Sequence, residues 1–416
     1  MILTLRQGII GSTSLLILTL LGFAIYQIDQ LALSYLTGTR RVPGESFFGT
    51  KVRSDGPVPG YIYLGRSKPS EHPPGFRMIR LGGSSTEIGL QLEDIVTSVS
   101  GQTYRSSRDL FEDLVKNRTA GESLSLTVLR GKNQIELSLK LKPFPRSPAD
   151  FNLPFEEVEI PSTSGYTLRG WFIPPPKWSD GRTGVFVHGA KSSRFQGLEG
   201  AAYWHQRGYG LLTMDLSGRG TSEGKYVTYS VNERLDVSAM LDWTRRHPSV
   251  NKKQVVLFGT SNGGAAAIYA AAKDPLLPAL ALDAPYSNLW EAALERDIPP
   301  LHLRILSWAV WLRAGINLAK IRPIQAITAI KAPVFFIHGD ADKQVLPHHS
   351  QDMVADRQTA GLPTEIWIIP GGEHGFDNYP PPDIFWNKIF DFYDQSLGDP
   401  PVIESNQISL LPITQS

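Results

Sequence analysis

The larger part of this chain predicts an α/β fold: a mostly parallel sheet with helices on both faces. Three observations predict it. Between about residues 151 and 398, short apolar runs alternate with helical stretches. The run 255–258 passes into Gly259-Thr260-Ser261-Asn262-Gly263-Gly264 and then into an Ala-rich helical segment. Downstream of Ser261, two further strands lead into loops that carry first acids and then a histidine. The strands expected are 184–187, 210–214, 255–258, 279–282, 334–337 and 364–369. Pro299-Pro300 breaks the alternation, and a helical, aromatic-rich stretch follows with Leu301, Ile305, Trp308 and Leu312 on one face.

Composition narrows the function classes. The chain is 41% hydrophobic and 19% charged, as an ordinary globular protein is, and its 416 residues have room for two or three domains. Formal net charge is +1 with no long Lys/Arg block, which argues against a nucleic-acid partner. There is no cysteine, so disulfides, thiolate metal sites and cysteine nucleophiles are excluded.

The elements before the larger unit follow in order. Residues 8–28 contain no charge, enough for a bilayer-spanning helix of roughly 20 residues. Residues 1–36 are therefore expected to be a single-pass membrane anchor, ahead of the alternatives of a cleaved signal, whose apolar core would be shorter, and of a buried helix. Arg6 and the N-terminal amine favour an inside N-terminus and an extracytoplasmic enzyme unit, whereas Arg40, Arg41 and Lys51 pull the other way. Residues 37–57 read as a Gly/Pro-rich linker. Leu124, Leu126 and Val128 alternate with polar residues, as do Ile135, Leu137, Leu139 and Leu141. Arg130-Gly131-Lys132-Asn133 between them predicts a β-hairpin with one buried face. Leu110 and Leu114 belong to a short helix capped by Ser106 or Ser107.

Ser84–Gly89, Asp94-Ile95-Val96, Gly101 and Leu110, with the hairpin, make residues 58–143 resemble the PDZ domains of bacterial exported proteases. That resemblance implies a peptide groove at Gly60, Tyr61, Ile62 and Leu110, where a protein C-terminus adds a strand to a sheet edge. A spacer that binds nothing is the alternative. The proline-rich stretch 142–154 separates this part from the larger unit, and residues 399–416 form a tail.

Serine hydrolysis needs a nucleophile, an imidazole to take its proton and an acid to hold the imidazole. Ser261 sits in Gly-x-Ser-x-Gly between strand and helix, where glycines allow a sharp turn and the backbone N–H of Asn262 faces a forming oxyanion. His374, in Pro370-Gly371-Gly372-Glu373-His374-Gly375, is the base by position. His72, His205, His247, His302, His338, His348 and His349 are read as surface or supporting residues. Asp340 and Asp342 both follow the strand ending at Ile337, and position alone leaves either as the acid.

Taken together, FVHGAKSSR, MDLSGRGTSEGK, ERLDVSAMLDW, FGTSNGG, LDAPYSN, IHGDADKQV and PGGEHGF resemble the α/β-hydrolase superfamily across residues 151–398. The resemblance is strongest to the short-cap prolyl-oligopeptidase-like and X-Pro-dipeptidyl-peptidase-like branches. It implies the α/β-hydrolase fold with a cap at about 288–328 and a triad of Ser261, Asp342 and His374. It also implies an oxyanion hole from the N–H groups of Ala190 and Asn262, with His188 structural beneath the site. One departure stands out: Ser217 occupies a position where the family has arginine, and Arg219 is the candidate substitute. The implied activity is cleavage of a small-molecule ester, thioester or amide through an acyl-enzyme, with no metal or organic cofactor. Carboxylesterase ranks ahead of peptidase, because a short apolar cap suits an acyl chain. The alternatives are a peptidase whose PDZ-like part presents protein C-termini, and an inactive hydrolase-fold binding protein.

Overall fold

The computed structural model describes residues 27, 28, 30, 60–62, 64–81, 88–143, 146–296, 298–376 and 379–398. The expected anchor lies outside these residues apart from Gln27, Ile28 and Gln30, and so do the linker, residues 82–87 and the tail. Among the described residues no helix is long and apolar enough to cross a membrane.

The N-terminal unit is built on an antiparallel sheet in the order β2-β3-β4-β5-β6. Its strands are β2 (Gly65–Glu71), β3 (Pro74–Leu81), β4 (Ile95–Val99), β5 (Ser123–Arg130) and β6 (Asn133–Lys140). β5 and β6 form the expected hairpin, from Ser123 opposite Lys140 to Arg130 opposite Asn133. A two-stranded ribbon joins β1 (Gly60–Tyr61) to β7 (Lys142–Pro143). The helix Ser107–Asn117 is capped by Ser106, whose side chain accepts from the Asp109 N–H. It is also tied to β2, since the Ser107 N–H donates to Ser67 Oγ at 2.7 Å. Leu110, Leu114, Phe76, Met78, Leu126 and Val128 share one core. It has no residue in common with the two cores of the larger unit, as expected of a separate domain.

The larger unit holds an eight-stranded sheet in the order β15-β14-β13-β12-β10-β11-β9-β8. Its parallel strands are β10 (Thr183–Val187), β11 (Gly210–Asp215), β12 (Val255–Thr260), β13 (Leu280–Asp283), β14 (Val334–Gly339) and β15 (Thr364–Ile369). Sequence patterning missed β8 (Glu156–Pro161) and β9 (Thr167–Ile173), a hairpin that adds antiparallel to β11. Only Val158 and Ile160 mark β8 as apolar, and Gly170 breaks β9, so neither has a long apolar run.

Alternate residues of the central strands feed opposite cores. Val185, Leu257 and Phe336 face the helices Glu233–Arg246 and Asn262–Ala271. Phe186, Phe258 and Phe335 face the helix Pro382–Leu397 and Trp204. Burial on both faces is why these strands read as unbroken apolar runs. The boundary stretch is partly ordered: Pro148–Phe151 forms a 3-10 turn, and Leu153 already packs into the second core.

The stretch expected as a cap is helical. Its main helix, Pro300–Ala314, buries Leu303, and packs Leu306, Ala309 and Val310 in one cluster with Tyr286, Leu289, Ile316 and Leu318. The face carrying Leu301, Ile305, Trp308 and Leu312 is largely outside: Leu301 is 68%, Trp308 61% and Leu312 58% exposed. The helix has apolar residues on several sides, so the contact made by its neighbours decides which side is buried.

Candidate active site

β12 delivers Ser261 into a turn with φ 52° and ψ −121°, a conformation that costs a non-glycine residue roughly 1–3 kcal/mol and is typical of functional sites. The turn is held on both sides: the Ser261 N–H donates to the Asp283 carbonyl at 2.8 Å, and the Ser261 carbonyl accepts from Ala265 at 3.0 Å. Gly263 is needed for close approach. A Cβ there would lie 2.4 Å from the carbonyl oxygens of both Val187 and His188 at the end of β10. The elbow is thus pressed against the loop that starts with Gly189-Ala190, and a Cβ on Gly189 would lie 3.6 Å from the Ser261 Cβ.

Asn262 begins the helix that follows, where backbone N–H groups have no partner within the helix. Its side chain is buried and turned toward Tyr286, whose hydroxyl donates to Asn262 Oδ1 at 2.9 Å. The backbone N–H groups of Asn262 and Ala190 are therefore carried on two segments packed against each other at the nucleophile. His188 has both ring nitrogens engaged by backbone: Nδ1 donates to the Gly189 carbonyl at 2.8 Å, and Nε2 accepts from Leu216 at 3.0 Å. Burial pushes its pKa down to about 4, so the ring is neutral.

The base and the acid come from the loops after β15 and β14. His374 Nε2 lies 3.0 Å from Ser261 Oγ, and His374 Nδ1 lies 2.7 Å from Asp342 Oδ2. With the proton on Nδ1 donated to the carboxylate, Nε2 accepts from the serine hydroxyl. Asp342 Oδ1 accepts from the N–H groups of Gln344 and Val345 at 2.8 and 3.0 Å. Burial by itself would raise its pKa. The hydrogen bonds from His338 and His374 outweigh that effect and hold the carboxyl well below the usual range, ionised at neutral pH.

Asp340 does different work: its Oδ1 accepts from the Gly371 N–H at 2.6 Å, pinning the histidine loop to the acid loop. The two loops also meet at glycine, since a Cβ on Gly339 would fall 2.2 Å from the Gly372 carbonyl oxygen.

His338 takes the supporting role expected of it, while Asp283 and Tyr379 escaped sequence reasoning. His338, four residues before the acid, is fully buried; its Nε2 lies 2.9 Å from the Val345 carbonyl and 3.4 Å from Asp342 Oδ2. Asp283, buried beneath the elbow, accepts from Thr260 Oγ1 at 2.9 Å and from the Tyr379 hydroxyl at 2.7 Å. Burial pushes its pKa up. An acid closing the apolar strand beside the elbow is a signal for Asp283, whereas nothing local marks Tyr379.

The departure at Ser217 is also accounted for. Its backbone N–H donates to Asp236 Oδ2 at 2.9 Å, and the same buried carboxylate accepts from Ser162 and Ser164 at 2.6 and 2.8 Å. Arg219 is buried close enough to His188 to oppose its protonation.

Of the expected groove residues, Gly60 and Tyr61 form β1, whereas Ile62 and Leu110 are 1% and 0% exposed within the N-terminal core. The side chains of these two help to complete that core.

Among the described residues, one group has three metal-ligand atoms close together: Glu295, His348 and His349, within 4.8 Å of one another. They are hydrogen-bonded among themselves, with Glu295 at 2.6 Å from His348 Nε2 and 3.1 Å from His349 Nε2. The cluster ties the end of the helix Leu289–Leu294 to the start of the helix His348–Thr359. None of its atoms is in the hydrogen-bonded relay from Ser261 to Asp342.

Comparison with known proteins places this geometry among others. A profile of the prolyl oligopeptidase family matches residues 197–400. The alpha/beta hydrolase domain-containing protein WAV2 of Arabidopsis thaliana is 24% identical over 265 residues, covering 61% of this chain and 83% of its own length. The polyketide transferase ATR5 of Stachybotrys chlorohalonatus is 32% identical over 170 residues, 36% of this chain and 57% of its own. An esterase of Pyrococcus furiosus superposes with a TM-score of 0.50 at 22% identity, over 61% of this chain and 95% of its own, which speaks to the fold.

Proposed function

We propose that this chain is an α/β-hydrolase, a membrane-anchored serine hydrolase that cleaves carboxylic esters through an acyl-enzyme on Ser261; the family profile over residues 197–400 and the esterase-like fold support the reading. The observation that carries this reading is the unbroken relay from Ser261 Oγ through His374 to Asp342, at 3.0 and 2.7 Å.

In the first half-reaction Ser261 Oγ bonds to the ester carbonyl carbon while its proton moves to His374 Nε2. Asp342 stabilises the imidazolium, and the carbonyl oxygen, now an oxyanion, faces the N–H groups of Asn262 and Ala190. The tetrahedral species collapses as the C–O bond to the alcohol breaks, and the alcohol leaves with the proton from His374. Water then repeats the sequence on the acyl-enzyme: His374 takes its proton, the acid is released and Ser261 recovers its hydrogen.

Fold cannot choose between ester and peptide substrates. A fluorophosphonate probe should label wild type and spare Ser261→Ala. p-Nitrophenyl esters of rising chain length should be turned over faster than aminoacyl and prolyl amides. Faster amide cleavage, lost when the substrate's C-terminal carboxylate is amidated, would instead favour a peptidase fed by the N-terminal unit. Absence of labelling and of turnover would leave a hydrolase-fold binding protein. We read that unit as PDZ-like, with edge strand β2 beside the helix Ser107–Asn117 as the site for an added peptide strand. Residues 8–28 are read as the anchor. The full chain should stay in the membrane pellet after alkaline carbonate, and a soluble form beginning near residue 30 would point to a cleaved signal.

A further inference from the structure

We propose that the exposed face of the cap helix Pro300–Ala314 is a membrane-interface surface, resting on an anionic lipid bilayer so that the enzyme works against the membrane. The proposal rests on the anchored-hydrolase reading and adds to it the orientation of the molecule and a substrate class, esters carrying a lipid-borne acyl chain.

Three independent observations converge. The first is the patch itself: Leu301, Trp308, Trp311 and Leu312 are 68%, 61%, 52% and 58% exposed. Their spacing puts them within one side of a helix at 3.6 residues per turn. Large apolar side chains gathered on one exposed face mark an interaction surface. Tryptophan in particular is enriched where protein meets the headgroup layer, since its ring is apolar and its N–H polar. A groove of about 320 Å³ runs along the same face between Trp308, Trp311 and Asn317, with Arg304 at its side.

The second is charge. From Ile298 to Gly339 there is no Asp or Glu, while Arg304, Arg313, Lys320, Arg322 and Lys331 are all cationic. This local excess of five occurs in a chain whose overall formal charge is only +1. Of these five, Arg304 and Arg313 lie on the helix itself and Lys320 lines a pocket with Trp311, and cations beside an apolar helical face give an interfacial helix its attraction for anionic headgroups.

The third is continuity with the anchor. Ile28, the last residue of the uncharged run 8–28, is half-buried against the cap's own hydrophobic cluster, alongside Trp290 and Ala314. A membrane segment ending at that cluster would bring the bilayer surface to the cap.

The test uses the full chain incorporated into vesicles of phosphatidylcholine with about a quarter phosphatidylglycerol. Flotation reports anchoring, and quenching of tryptophan fluorescence by lipids brominated near the headgroup reports contact. None of the nine tryptophans lies in residues 8–28, so quenching reads the folded part and not the anchor. Wild type should float and be quenched, and Trp308→Phe/Trp311→Phe should float equally but lose most of the quenching. Removing phosphatidylglycerol should weaken the quenching without affecting flotation. Flotation with no quenching, or with quenching unchanged in the double variant, would overturn the cap proposal and leave the anchor standing. Failure to float would overturn both. An unquenched protein that forms a concentration-dependent dimer in detergent, abolished by Leu301→Glu/Leu312→Glu, would assign the face to a second copy and overturn the lipid assignment.

Discussion

The loops at the C-terminal ends of β12, β14 and β15 and the cap helix Pro300–Ala314 are built on opposite principles. Around Ser261 each functional side chain is held by several short hydrogen bonds, and glycines at 263 and 339 let backbone segments approach so closely that no other arrangement fits. On the cap, one apolar face is sealed into a core while another, just as apolar, is left outside. Local chemistry over-determines the first region. In the second it determines that a helix forms, and the neighbours determine which way it faces.

The largest effect expected from that difference is at the acid. Asp342→Asn keeps the shape but presents an amide to His374 Nδ1, favouring the wrong tautomer. Ester turnover should fall by about 10³–10⁴, roughly 4–5 kcal/mol of barrier, with the circular dichroism spectrum unchanged. Asp340→Asn should cost far less, because Asp340 touches Gly371 and not His374. A large loss at Asp340 with near-normal Asp342→Asn would reassign the triad.

The cap makes the next test. Leu303→Ala empties a fully buried position and should lower stability by about 2–5 kcal/mol in denaturant melts. Leu301→Ala, on the exposed face, should change it by no more than about 0.5 kcal/mol. Equal losses at the two positions would mean that both faces are covered in the isolated protein.

A smaller effect is expected from pH. Burial depresses the pKa of His188 to about 4, whereas in the unfolded chain it is near 6.5. Between these values the unfolded chain binds a proton that the folded one does not, so stability is full above about 6.5 and falls as pH drops toward 4. At pH 5 the loss from this group is about 2 kcal/mol. His349, also lowered to about 4 by burial, adds in the same direction. His348, which Asp352 and Glu295 raise against the effect of burial, opposes it. Thermal melts at pH 7 and pH 5 check the sign: a midpoint that does not fall on acidification would show that the buried neutral histidines do not dominate the pH dependence.

What was legible in the sequence was whatever depends on neighbours along the chain. The run 255–258 followed by Gly-x-Ser-x-Gly determined a strand, a sharp turn and a helix, because only glycine tolerates the contacts flanking Ser261. Both faces of the central strands are buried, so their apolar runs identified them. His374 was legible because it follows the strand 364–369 on a glycine-rich loop, whereas position narrowed the acid to Asp340 or Asp342 and only the family resemblance pointed to Asp342. Tertiary structure decided what depends on groups distant in sequence. It placed the hairpin β8–β9 at the sheet edge, matched Ser217 with Asp236, and gave Asp340 to Gly371 and Tyr379 to Asp283. It also turned Leu303 inward and Trp308 outward on a helix with apolar residues on more than one side. Hydrophobic burial is non-directional, so such a helix settles by the surface its neighbours offer, and that surface is not written in its own fifteen residues.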